Sequence, residues 1–170
     1  MNVPLQFPSQ NDGTRTPYSG AQAEPHNGEA ERALLGAILL DPDILPHAGA
    51  LVQPADFFLE RHTLIYHCMR VVAQNGHRVD MVTLCAELEA RNRLDFVGGS
   101  AYLNTVLAET PTARGYESYA GLIRETALRR RFVHRALDSV RIALNEKDVD
   151  VRQLVAEMQR ELAGTESPTS

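Results

Sequence analysis

Six histidines and two cysteines are the side chains that could ligate a metal or start nucleophilic chemistry, and their spacing serves neither. The histidines are His26, His47, His62, His67, His77 and His134. Zinc held on a helix needs ligands about one turn apart, as in H-E-x-x-H. His62 and His67 are five residues apart, which turns them to different helix faces. No Cys/His pair has zinc spacing. Cys68 and Cys85 both fall on apolar helix faces and read as buried, reduced thiols. His62 comes soon after the turn that carries the aromatic pair Phe57-Phe58 and is expected to hydrogen-bond a loop backbone.

Phosphate chemistry has no better footing. A nucleotide loop needs G-x-x-x-x-G-K-[ST], and the sole lysine, Lys147, is followed by Asp148. Gly98-Gly99 opens a helix whose amides could face an anion, but an ordinary turn explains the pair. The acids are spread over solvent faces, so no paired-carboxylate or nucleophile–base constellation stands out. The expectation is a chain with no catalytic residue, no metal and no cofactor of its own.

The basic residues are sixteen arginines and one lysine. Arg129, Arg130 and Arg131, with Arg124, Arg135 and Arg141 nearby, form the strongest basic feature. Three readings are open. The run could contact phosphates along a nucleic-acid path. It could pair with carboxylates of another chain, a task suited to the planar guanidinium. It could be a solvated face, with Glu125 and Asp138 as partners one helical turn away. Aromatic stacking residues for single strands are missing here, and the net charge of -5 argues against DNA coating.

These residues must be positioned by helices, because nothing in the sequence alternates with the two-residue period of a strand. Residues 1–26 carry Pro4, Pro8, Pro17 and Pro25 among Ser, Gln, Asn and Gly, and read as a disordered tail. Asn27 can cap a helix over 28–40 with Ala30, Ala33, Leu34, Ala37 and Ile38 on one face. Asp41-Pro42 stops it, and a second helix over 43–51 places Pro46 in its first turn. A helical turn over 54–58 drops aromatics into the core. Residues 60–75 repeat Ile65, Cys68, Met69 and Val72 at helical spacing, and Gly76 supplies the stop. Asp80 caps a helix ending near Asn92, and Ser100 caps one running to Ala108 with Tyr102, Leu103, Val106 and Leu107.

From Tyr116 to Asn145 there is no proline, and the single glycine, Gly121, lies near the start. Thirty residues at ~1.5 Å each span ~45 Å, longer than the ~30 Å width of so small a body. The helix must project. Tyr116, Tyr119 and Ile123 should lie on the body. Val133, Leu137, Val140 and Leu144 form a coiled-coil-like seam further out, and Leu128, Phe132 and Ala136 a second apolar row. Residues 146–150 make a polar break, and Val151, Leu154, Val155, Met158 and Leu162 give the stripe of a return helix. The fold class is all-α: a globular helical head over 27–112, a hairpin over 113–163, and a linker-like end over 164–170. With no charged and apolar leader and no 18-residue apolar run, a soluble cytoplasmic protein is expected.

Several stretches occur in an order and spacing that resemble the N-terminal domain of DnaB-type bacterial replicative DNA helicases. They are Glu29-Ala30-Glu31 to Leu35-Gly36, Leu40-Asp41-Pro42, Asp56-Phe57-Phe58 with His62, and Val79-Asp80-Met81-Val82-Thr83-Leu84. Gly98-Gly99-Ser100-Ala101-Tyr102-Leu103, Thr110-Pro111-Thr112 and Tyr119-Ala120 to Leu128-Arg129-Arg130 complete the set, which covers residues 26–163. The pattern departs from the family at Phe58, where Tyr is common, at Gly115, where Asn is common, and at Arg131, where an apolar residue is usual.

The resemblance implies a six-helix head followed by a hairpin of one long helix and a shorter return helix. It implies a collar that self-associates as a dimer, or as a trimer of dimers in a hexamer. Primase and a helicase loader would dock on it, DNA would be contacted weakly if at all, and no membrane is involved. ATP and Mg belong to a motor domain outside these residues, so this chain is expected neither to hydrolyse ATP nor to unwind DNA. The interface residues expected between copies are Leu128, Phe132, Val133, Leu137, Val140, Leu144, Leu154, Val155, Met158 and Leu162. Arg129, Arg130 and Arg131 are expected in interchain ion pairs, and Tyr102 and Val133 at the primase contact, with core packing as the competing role for the last two. A standalone adaptor or loader-like collar protein, and a DNA-binding regulator using the Arg-rich helix, are the alternatives.

Overall fold

The computed structural model describes residues 24–145 and 150–163, the last three of these as backbone only. The expected tail before residue 24, the break over 146–149, the side chain of Leu162 and the end over 164–170 lie outside the described residues. Among the described residues the fold is all-α, a head of six helices followed by a two-helix hairpin.

Helix α1, Gly28–Leu40, begins where Asn27 accepts a hydrogen bond from the Ala30 amide at 2.9 Å. Asp41 then accepts from the Asp43 amide and starts a 3-10 turn, Pro42–Ile44, which leads directly into α2, Leu45–Leu51. A second turn, Pro54–Asp56, closes through the Gln53 amide donating to Asp56 Oδ2 at 2.8 Å. Helix α3, Glu60–Gln74, ends at Gly76, whose φ of 78° is the left-handed conformation that a side chain resists. Helix α4, Met81–Ala90, opens with Asp80 and Thr83 exchanging hydrogen bonds with each other's amides.

Sequence reading missed α5, Leu94–Val97, a single turn too short for a period to register. Its presence also corrects the start of α6, Gly99–Ala108. Gly98 at φ 100° both ends α5 and opens α6, so Ser100 sits inside the helix and does not cap it. After a turn at Ala113–Gly115, where Thr112 Oγ1 accepts from the Arg114 amide, α7 runs unbroken over Tyr116–Asn145. Gly115 leaves room for the Tyr119 ring, which a β-carbon there would meet at 2.9 Å. Helix α8, Val151–Ala163, returns against α7.

Helix α1 is the centre of the head. It packs on α3, α6 and the first half of α7, and Leu34, Leu35, Ala37 and Ile38 are fully buried. The approach to α6 is close enough that a β-carbon on Gly36 would lie 1.9 Å from Thr110 Oγ1 and 2.6 Å from the Val106 carbonyl oxygen. On α7 the buried positions are Ala120, Ile123, Ala127 and Arg130, in steps of three, four and three. Beyond Arg130 no described α7 side chain is fully buried, so the helix leaves the head at that residue. Burying the near stripe at ~25 cal/mol per Å² of apolar area fixes the base of the arm.

Candidate assembly surface and the polar network behind it

The arm beyond Arg130 carries an aliphatic surface that its own return helix leaves open. The less exposed positions on outer α7 are Val133, Ala136, Ser139 and Ile142, and on α8 Leu154 and Met158. A row in steps of three drifts around a helix of 3.6 residues per turn, and α8 follows that row. Leu137, Val140 and Leu144 therefore stay exposed, at 40%, 56% and 75%, together with Val151 and Val155 on α8. Leu128 and Phe132 are exposed nearer the head. Of the nine expected interface residues whose side chains are described, only Val133, Leu154 and Met158 are half-buried within one chain. A run of exposed aliphatic side chains along one arm is the kind of patch that marks a contact surface.

The arginine run does three different things. Arg129 pairs with Glu125 one turn back on the same helix and is exposed. Arg131 Nη1 donates to Asp56 Oδ1 at 2.7 Å. Arg130 is 8% exposed. Its Nη2 donates to the Asp56 carbonyl at 2.7 Å and its Nη1 to the Pro25 carbonyl at 2.9 Å. Arg130 and Arg131, expected to reach a second chain, thus hold the base of the arm to their own head. The sequence signal is faint. Arg130 falls three residues after Ala127 on the buried stripe, a place where a charge must find partners.

Tyr102 belongs to a buried polar chain. Glu31 and His62 are 1% and 0% exposed. His62 Nδ1–H donates to Glu31 Oε2 at 2.7 Å, and Glu31 also accepts from the amides of Phe58 and Leu59. The far ring nitrogen, Nε2, lies within hydrogen-bond distance of the Tyr102 hydroxyl at 2.6 Å. Arg61 lies over the Tyr102 ring at 4.4 Å. Burial raises the Tyr102 phenol above its ordinary range, and Tyr66 is pushed up to about 12 by the same cause. His62 therefore bonds two side chains, where a loop backbone was expected. Cys68 is buried, which raises its thiol, and Cys85 is half-buried. Among the described residues no group of three or more His, Cys, Asp or Glu converges to hold a metal ion.

Comparison with known proteins gives this architecture a family. Residues 23–125, which include the whole head and the root of α7, match the model of the DnaB-like helicase N-terminal domain. The chain belongs to that family. The replicative DNA helicase DnaB of Geobacillus stearothermophilus is 36% identical over 150 residues, covering 82% of this chain and 32% of the relative. The replicative DNA helicase DnaC of Bacillus subtilis (strain 168) is 36% identical over 136 residues, covering 80% of this chain and 30% of the relative. The chain thus spans about a third of the length of these curated relatives.

Among solved structures, the N-terminal domain of DnaB helicase from Mycobacterium tuberculosis superposes with a TM-score of 0.75 at 31% identity. That match covers 84% of this chain and 99% of the other. A DnaB-like replicative helicase described with its interactions with primase shares the fold, with a TM-score of 0.68 at 22% identity over 80% of this chain and 31% of that one. The DnaB-like head and hairpin read from the sequence are therefore the family's own architecture. No single helix among the described residues is long and apolar enough to cross a membrane.

Proposed function

We propose that this chain acts as the N-terminal collar domain of a cytoplasmic replicative DNA helicase, where it brings copies together and receives primase. The observation that carries the reading is the open aliphatic surface of the arm, Leu137, Val140 and Leu144 with Val151 and Val155. Water is a poor solvent for such a surface, and covering one leucine contributes ~1.5–3 kcal/mol. A second copy offers a matching surface, which favours a two-fold pair of arms. Leu128 and Phe132 lie closer to the head and suit a second neighbour, as a ring of dimers requires. ATP hydrolysis and unwinding would belong to the part of the parent protein that these residues do not span. Primase docking, and a loader contact, rest on the family alone. Val133 stays a candidate for the former, while the hydroxyl of Tyr102 is directed inward to His62.

Sedimentation of the chain and of Leu137→Asp tests this. Leu137 is exposed in the single chain, so the variant should keep its helical circular dichroism and lose the mass of the associated species. A variant that sediments with unchanged mass would remove this surface from the assembly.

A further inference from the structure

Residues 24–26 lie across the point where α7 departs from the head. The Pro25 carbonyl accepts from Arg130 Nη1 at 2.9 Å. Glu24 Oε1 lies 3.1 Å from His134 Nε2, one turn further out on the arm. The His26 ring stacks on Phe58 with centroids 4.4 Å apart and planes 20° from parallel, and the Arg130 guanidinium lies 5.4 Å from the Phe58 centroid. Three successive residues therefore make three chemically different contacts, with two positions on α7 and one on the loop before α3.

Arg130 gives these contacts their weight. It is the last buried position on α7, and its hydrogen-bond partners are two backbone carbonyls. A nearly buried guanidinium loses stability when a donor is left without an acceptor. If the Pro25 carbonyl withdraws, Nη1 must recover a partner from water, and only the Asp56 bonds of Arg130 and Arg131 then resist the helix lifting there. The next buried position toward the head is Ala127, three residues back.

We propose that residues 24–26 are a strap that sets where the arm pivots. With the strap closed, α7 is fastened to the head as far as Arg130 and steadied at His134. With it open, only the Asp56 bonds of Arg130 and Arg131 hold α7 beyond Ala127 and the contact at His134 is gone, so the pivot loosens toward the head. The strap is a regulatory element of the head–arm angle, and anything that draws the N-terminal segment away frees the arm. This inference does not depend on the assembly reading, because every contact lies within one chain.

Hydrogen–deuterium exchange on the whole chain tests it, comparing the natural sequence with the combined variant Glu24→Ala, Pro25→Gly and His26→Ala. Amides of residues 127–134 should exchange about tenfold faster in the variant, while those of 116–123 stay within about twofold. Unchanged exchange over 127–134 would overturn the proposal. Equal acceleration along the whole of α7 would overturn it as well, because the segment would then support general stability and not the pivot.

Discussion

Glu31 shows what a single charged side chain can organise when it is buried with enough donors. One carboxylate takes hydrogen bonds from two amides of the Phe58–Leu59 loop and from His62, whose far nitrogen reaches Tyr102. Four segments of the head meet at this chain: α1, the loop before α3, α3 itself and α6. His62→Ala would take one donor from the buried Glu31, leaving it the two amides, and would leave the Tyr102 hydroxyl without His62; a hydrogen bond to a buried charge is worth ~1.5–3 kcal/mol. Urea unfolding should show the variant less stable by roughly 3 kcal/mol, with Tyr102→Phe costing about 1 kcal/mol. Equal, small losses in both would mean that the chain is incidental. Glu31 could have been flagged from the sequence, since it precedes Leu34 and Leu35 by three and four residues and so lies on their face. First-turn acids are also favoured by the helix dipole, and that commoner explanation hid it. The partners His62 and Tyr102 were beyond reach, because His62 is 31 residues from Glu31 and Tyr102 a further 40 from His62, separations that no local period encodes.

Elements were legible where a cap and a period agreed. Asn27, Asp80 and Gly76 mark the ends they should, and α1, α3, α4 and α7 fall within a residue or two of the sequence reading. The failures are short pieces. Helix α5 has one turn, and the α5–α6 junction is decided by the left-handed Gly98, not by a serine cap. Packing of one element on another was less visible still. Gly36 reads as an ordinary glycine in a helix, a mild weakness of ~1 kcal/mol relative to alanine. The structure gives it the opposite sense, since the α6 backbone comes within 2.6 Å of where a β-carbon would be. Gly36→Ala should lower stability by ~1–3 kcal/mol, at the upper end because the Val106 carbonyl cannot turn aside as a side chain could. A thermal melt would check this, and an unchanged or higher midpoint would mean that α1 and α6 are free to slide apart.

At the scale of the molecule, the sequence established a body too small to contain its longest helix, and the structure carries that helix out into solvent at Arg130. What the sequence left open was the purpose of the arginine run. Two of its three members turn back on the head, which leaves little of the run to meet phosphates. Fluorescence anisotropy with a labelled single-stranded oligonucleotide should therefore find binding no tighter than the non-specific range of about 10⁻⁴–10⁻⁶ M at physiological salt. Tight binding that falls steeply with added salt would restore the reading of a DNA-binding regulator.

Because α7 is one unbroken helix, its inner half and outer half cannot answer separately to a push at the root. About fifteen residues lie beyond Arg130, a rigid spoke of ~22 Å. A tilt of only 10° at its foot would sweep the tip by ~4 Å, given that rise per residue. That is about one carbon–carbon contact distance, enough to separate two touching side chains. A domain built this way acts as a lever, in which small rearrangements among buried groups are magnified at the place where neighbours would feel them.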